Sequence, residues 1–279
     1  MRILYTSDLH GKSGRYHDLE LLVSEQRPDL VILGGDLLPH YGHTQSSIDR
    51  QIEYVKNEFK QFLSNLPRAV QVAFIPGNDD WAACLPSLSM LADMFPLHAF
   101  ADRSLIIGDM EFIGYGFVTP TPFLAKDFDK LDQPEDMIPD YPPIAYTSYD
   151  GKIASANVTT LLHQRTSIQE DLCELRAEAH SVFVAHVPPF GTRLDLLRDK
   201  QPVGSRSIRS WIRRHRPVLS LHGHIHESPQ VSGQYWDRIG NTLCINPGQM
   251  EDALSAVIIE MENHTLLRVS HTVYGEINL

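Results

Sequence analysis

Seven residues whose side chains can offer oxygen or nitrogen to a cation stand at the ends of apolar runs: Asp8, His10, Asp36, Asn78, His186, His224 and His226. Asp8 and His10 follow Ile3-Leu4-Tyr5-Thr6, and residues two apart in an extended chain face the same way, so a carboxylate and an imidazole can reach one ion. Asp36 closes the run Leu30-Val31-Ile32-Leu33 after two glycines that allow close backbone approach, and Asn78-Asp79-Asp80 forms a polar turn after residues 69–75. His186 ends the run 181–185, and Gly223-His224-Ile225-His226 ends Val218-Leu219-Ser220-Leu221. Taken singly, each pattern is more often a turn, a packed histidine or a solvated loop than a ligand. Together, at the ends of five runs, they make a mixed donor set large enough for two divalent ions about 3.5–4 Å apart that share a carboxylate.

Such donors need elements that bring their ends together. Between the first three runs lie Leu19, Leu22 and Val23 at helical spacing before Arg27-Pro28, then Ile48, Ile52, Val55, Phe59, Phe62 and Leu66 three or four apart before Pro67. Strand, helix and strand at these lengths predict parallel βαβ units, whose sheets gather ligands at the carboxyl ends of the strands. A helical piece at 82–94 precedes extended stretches at 97–100, 104–107 and 111–115. Gly108-Asp109 joins the last two as a hairpin expected to add antiparallel strands to the same sheet. Ser167 and Glu170 form a capping box for a helix bearing Ile168, Leu172 and Leu175, and 205–216 is a basic helix with Ile208, Trp211 and Ile212 on its apolar face. The tail reads as strands at 230–236, 243–246, 256–259 and 265–273, with a turn at Asn246-Pro247-Gly248.

With 279 residues, 42% of them hydrophobic, the chain can bury one large core, and a single domain spanning 1–279 is expected. A net charge of −11 argues against binding along a nucleic-acid backbone and favours a small or metal-screened substrate. Cys84, Cys173 and Cys244 are odd in number and lack ligand spacing, which reads as reduced structural thiols. Met1 leads directly into a strand-like run, and no apolar stretch is long enough for a membrane span, so a cytoplasmic protein is expected.

In this order Asp8-x-His10, Gly35-Asp36, Gly77-Asn78-Asp79-Asp80, His186 and Gly223-His224-x-His226 resemble the blocks of the calcineurin-like metallophosphoesterases, over most of the chain. The resemblance implies an α/β fold, a four-layer α/β/β/α sandwich of two mixed sheets flanked by helices. It also implies two divalent metal ions at the strand ends, with manganese, iron and zinc suited to the donors and magnesium also accommodated. By that likeness Asp8, His10, Asp36 and His226 hold one ion, Asp36, Asn78, His186 and His224 hold the other, Asp36 bridges, and His222 has a packing role. The implied activity is metal-dependent hydrolysis of a phosphoester by an activated water, with Asn78, Asp79 and Asp80 as catalytic residues near the phosphate.

One block departs from the pattern: Asp79 stands where the family usually has histidine, and a carboxylate brings no positive charge to a phosphate. That loss penalises poor leaving groups most, so phosphodiesters with good leaving groups are expected over monoesters. Rival readings are a protein-binding scaffold without turnover, which intact donors at all seven positions disfavour, and a nuclease or protein phosphatase, disfavoured by the acidic balance and by the altered block. The expected partner is a small phosphoester bearing a nucleotide-like group, with no membrane, no sequence-independent nucleic acid, and homo-oligomer formation left open.

Residues 117–152 interrupt the alternation with Pro120, Pro122, Pro134, Pro139, Pro142 and Pro143 and the aromatics Phe123, Phe128, Tyr141, Tyr146 and Tyr149, where a plain connection takes about 4–6 residues. This insertion is either a cover packed by its own aromatics, or an oligomer contact, or a wall that builds the substrate pocket with the loop after His186. In the last case Arg193, Arg206 or Arg209 would add a charge-assisted contact. His40 and His43, after Asp36, read as solvated loop residues.

Overall fold

The computed structural model of the chain describes residues 1–148, 151–178, 180–251 and 253–279, so Tyr149 of the insertion lies outside the described residues. Four parallel strands open the fold: β1 (Arg2–Thr6), β2 (Leu30–Leu33), β3 (Gln71–Phe74) and β4 (Leu97–Ala99). A hairpin of β5 (Arg103–Ile107) and β6 (Met110–Tyr115) follows, then a separate hairpin of β7 (Ile144–Thr147) and β8 (Ala154–Asn157) inside the insertion. Next come β9 (Val182–Ala185), β10 (Leu219–Leu221), β11 (Trp236–Ile239) and β12 (Thr242–Ile245). The chain ends with β13 (Val257–Glu262), β14 (Thr265–His271) and β15 (Gly275–Glu276). One sheet has the order β15-β14-β13-β1-β2-β3-β4 and the other β11-β12-β10-β9-β6-β5.

Alternation along the central strands explains why the sheets stack. Ile3 and Tyr5 of β1 point into a core shared with Phe112, Val184, Leu221 and Ile245 of the second sheet, whereas Leu4, one residue out of phase, points at Leu19 and Val23 of the helix Ser13–Gln26. On the far side of the second sheet, Phe183 and Cys244 pack on Ile208, Trp211 and Ile212 of the helix Arg206–His215. With both faces of both sheets covered, the order of layers is helix, sheet, sheet, helix, as the motif resemblance implies.

Several local expectations are revised. The β5–β6 hairpin does not enlarge the first sheet: β6 pairs in parallel with β9 and so founds the second. The strand expected at 230–236 begins only at Trp236, because Pro229 sits in the first turn of a short helix, Ser228–Ser232, that Gly233 closes in a left-handed conformation. The long helix after Asp36 runs as Gln45–Tyr54, a π-helical turn over Val55–Phe59, then Lys60–Asn65. Cys84 and Cys244 are buried thiols, but Cys173 is exposed. No helix among the described residues is long and apolar enough to cross a membrane.

Buried polar contacts hold the insertion together and pin it to the domain. Lys126 Nζ reaches Asp129 Oδ2 at 2.7 Å and Thr121 O at 2.8 Å, both side chains being almost fully buried. Asp127 accepts from the backbone of Ala82 and Ser148, and Asp132 caps the helix Arg206–His215 through Ser205 Oγ and the Arg206 N–H. Its aromatics do not form one cluster: Phe128 packs on Phe117, Tyr146 stacks on His43, and Phe123 is half exposed.

Candidate metal centre

Parallel register makes the strand ends level. Thr6 pairs with Leu33 and Leu33 with Phe74, so the segments after β1, β2 and β3 leave the first sheet side by side, as those after β9 and β10 leave the second. The two sets are sewn together: His186 Nδ1 donates to Gly34 O at 2.7 Å, and the His224 N–H reaches both carboxylate oxygens of Asp8 at 3.1 Å. Only small residues allow this approach. A Cβ at Gly77 would collide with Asp36 Oδ1 and lie 2.7 Å from His186 Nε2. Asp8, His10, Asp36 and His224 all take left-handed backbone conformations, with φ between 49° and 67°, which turns their side chains back over the strand ends.

Ligand-type atoms of Asp8, His10, Asp36 and His226 lie within 4.8 Å of one another, a cluster able to hold a metal ion. His226 Nε2 is 3.1 Å from Asp8 Oδ1 and 3.2 Å from His10 Nε2, and His10 Nε2 is 3.9 Å from Asp36 Oδ2. Next to this group, His186 Nε2 lies 3.4 Å from Asp36 Oδ2, and the rings of His186 and His224 meet edge to face at 5.3 Å. Asn78 lines the same cavity as Asp36 and His224.

The donors fit a cation better than they fit one another. His186 Nε2 and Asn78 Oδ1 are buried with no hydrogen-bond partner among the described residues, an expensive condition unless something else satisfies them. Since Gly34 O only accepts, the His186 Nδ1 carries a proton, so on losing its second proton the ring would turn a lone pair on Nε2 toward Asp36. Without an ion the charges settle on the side chains. Burial disfavours a charged His10, yet Asp79, Asp36 and Asp8 outweigh it and push the imidazole up to about 9. His186 is likewise pushed up to about 9 by Asp36 and Asp8 against burial. Burial raises Asp36, but His186 and His10 bring it down to about 2, and His226 and His186 hold Asp8 below the usual carboxylate range. Burial and the His186 charge lower His224 to about 3.

The turn after β3 divides its roles. Asp79 Oδ2 lies 3.3 Å from His10 Nδ1 while the Asp79 N–H donates to Asp36 Oδ1 at 2.8 Å, so Asp79 orients His10 and Asp36 at once. Asp80, expected to act near the phosphate, instead faces backbone: Leu38, Gly77 and Leu37 N–H groups donate to it at 2.8, 3.0 and 3.2 Å. It is fully buried, and burial with the nearby Asp36 pushes its carboxyl up to about 7. Through these bonds it braces the loops after β2 and β3 against each other. His222 packs as expected, donating to Ala185 O and Val187 O with Ser220 Oγ on its other nitrogen. His43 is not a solvated loop residue, since it stacks on Tyr146, and His40 Nδ1 lies 3.8 Å from Asp79 Oδ1.

Three supporting residues escape a reading of local pattern. Asn246 Nδ2 donates to Leu194 O, Gly223 O and Ile225 O at 3.0 to 3.2 Å, Gln249 Nε2 to Ser7 O at 2.7 Å, and Arg15 joins Asp8 O to Met250 O. The segment 246–250 therefore clamps the Asp8 loop and the His224 loop together. The only local signal was an Asn and a Gln flanking Pro247-Gly248 after a fully buried strand. Asn246→Ala leaves the buried Leu194 O without its donor and takes one of two donors from Gly223 O and Ile225 O, which keep the Ile225 and Ser228 N–H groups, so it is expected to destabilise the metal-free protein by about 1–2 kcal/mol in urea unfolding. It should also weaken metal binding about 10- to 100-fold in competition with a chromophoric chelator. Unchanged affinity would show that the clamp serves stability alone.

In front of the cluster opens a cavity of about 340 Å³, walled on the other side by residues 119–123 and Tyr141 of the insertion and by Leu197 and Val203 after His186. Neither Arg206 nor Arg209 faces it. Arg206 pairs with Asp136 and Asp132, and Arg209 donates to Phe190 O and Gly191 O.

A family model for calcineurin-like phosphoesterases matches residues 1–228. No curated protein matches the chain. Among solved structures, one crystal structure superposes with a TM-score of 0.64 at 16% identity, covering 96% of this chain and 98% of the other. The crystal structure of TT1561 of Thermus thermophilus superposes with a TM-score of 0.55 at 16% identity, over 95% and 96%. At these identities the likeness concerns the fold.

Proposed function

Because this chain belongs to the calcineurin-like phosphoesterase family, whose members are in general metal-dependent hydrolases, we propose that it hydrolyses a phosphodiester at a two-ion centre. The observation that carries the reading is the convergence of donors from both sheets with two of them, His186 Nε2 and Asn78 Oδ1, buried and unpartnered. Asp8, His10, Asp36 and His226 would hold one ion and Asp36, Asn78, His186 and His224 the other, so that Asp36 is shared. Manganese, iron and zinc suit these mixed donors, and magnesium is accommodated. Two divalent ions held by these residues would supply the charge to polarise a phosphoryl group and to acidify a water.

The protein's own groups do the positioning. Gly34 O fixes the tautomer and direction of His186, and Asp79 does the same for His10. With Asp79 turned to His10, no histidine from that turn stands ready to protonate a departing alkoxide, which favours esters whose leaving group departs unprotonated. A scaffold without turnover would have no use for unpartnered buried donors, and the intact set supports catalysis.

The test is hydrolysis by protein reconstituted separately with manganese, iron and zinc. Bis(p-nitrophenyl) phosphate is expected to be cleaved at least about tenfold faster than p-nitrophenyl phosphate, and chelation to remove both activities. Failure to cleave phosphodiesters, phosphomonoesters, cyclic nucleotides and single-stranded DNA with all these metals would overturn the reading.

A further inference from the structure

The cavity has two unlike sides, and the side away from the cluster carries the information about specificity. Pro120, Pro122, Phe123, Tyr141, Leu197 and Val203 make it largely apolar and aromatic. Apart from the donor residues themselves, the carboxylates on the cavity are Asp79 and Glu227. Among the described residues no lysine or arginine lines it. Three cations of the surrounding segments are committed elsewhere: Lys126 to Asp129 and Thr121, Arg206 to Asp136 and Asp132, Arg165 to the carbonyls of Lys126 and Asp129. The wall is also held in place in advance, because Thr121, in its middle, donates both its N–H and its hydroxyl to the buried Asp129.

We infer that this cavity selects a phosphodiester carrying a single negative charge, at the phosphate, whose remaining organic group is apolar or aromatic and bears no further anion. The inference rests on the phosphodiester reading and names the substrate class for that site. Attraction for negative charge is confined to the ion centre. Beyond it a second anionic group on the substrate would give up water and meet only Asp79 and Glu227, whereas a flat neutral group buries its faces on Phe123, Leu197 and Val203. Nucleoside polyphosphates and sugar phosphates are thereby disfavoured, and a single unphosphorylated base remains compatible.

Binding separates this from turnover. Calorimetry with the metal-loaded protein compares three slowly cleaved diesters of equal phosphate charge: diethyl phosphate, diphenyl phosphate, and phenyl 4-carboxyphenyl phosphate. Diphenyl phosphate is expected to bind at least about tenfold tighter than either of the others. Phe123→Ala combined with Leu197→Ala should bring diphenyl phosphate to within about threefold of diethyl phosphate and leave the latter unchanged, and Glu227→Gln should recover most of the loss caused by the carboxylate. Equal binding of the carboxylated and plain diesters overturns the inference, as does an equal weakening of all three ligands in the double variant or failure of all three to bind. If the diesters bind in the expected order but none is cleaved with any metal, the hydrolytic reading falls and the selectivity stands.

Discussion

Replacing Asp36 by asparagine is expected to lower phosphodiester turnover about 10³-fold or more and to leave at most one metal ion per chain in elemental analysis. The size follows from removing a carboxylate that lies beside His10 and His186, one from each group of donors, since shared charge at such a centre is worth several kcal/mol in the transition state, and each 1.36 kcal/mol is a factor of ten. Geometry makes the substitution clean. Asparagine tolerates the left-handed backbone at this position, where φ is 53°, and its carbonyl oxygen can still accept the Asp79 N–H. Loss of activity would therefore report charge and not a collapsed loop, which a retained unfolding midpoint in chelator would check. Two retained ions with normal turnover would refute the bridging role.

A second large effect is expected from pH. In the metal-free protein His10 and His186 are each pushed up to about 9 by the carboxylates around them. A metal ion requires both rings neutral, so below that pH each must first give up a proton. The apparent affinity of the site should therefore fall on acidification by up to about tenfold per pH unit for each histidine, or about 10⁴ in the product of both binding constants between pH 9 and 7. For stability the signs are opposite in the two forms. A raised histidine stabilises the metal-free fold fully below its unfolded pKa, and that stability is lost as pH rises through about 9, while the lowered Asp8 and Asp36 stabilise it above the ordinary carboxylate range and cease to do so as pH falls through their folded values. Metal-loaded protein instead gains as protons leave. The gap in unfolding midpoint between loaded and chelated protein should thus widen from pH 6 to 9, with about two protons released per chain at pH 7 when metal is added. A gap independent of pH would place the ions away from these histidines.

The strand ends were legible because each donor follows an apolar run with a strict local signature, and parallel strands put such ends together whatever the details of the loops. What escaped reading was set at long range. Nothing near Asn246 or Gln249 announces that their amides reach Gly223 and Ser7, and these residues lie beyond the 228 positions that the family model matches. Asp79 and Asp80 are neighbours of the same type, yet one side chain points at His10 and the other into a ring of backbone N–H groups, a distinction only the turn geometry makes. The 230–236 segment alternates like a strand, but Pro229 and Gly233 frame one turn of helix within it. Arg206 looked available for a phosphate because its carboxylate partners, Asp132 and Asp136, are about 70 residues away in sequence.

The left-handed backbone at Asp8, His10, Asp36 and His224 has an evolutionary consequence. Each such residue holds on the order of 1 kcal/mol of conformational strain that glycine would relieve, though glycine would also remove the donor. Selection for heat resistance alone would gain from glycine here as it would at Arg27 or Arg216, which share the conformation, but at Asp8 and Asp36 it would also strip an acceptor from the His224 and Asp79 N–H groups. The strain at these positions and the hydrogen bonds that their side chains accept therefore pull in opposite directions, and a glycine scan read by unfolding midpoint in chelator would weigh one against the other.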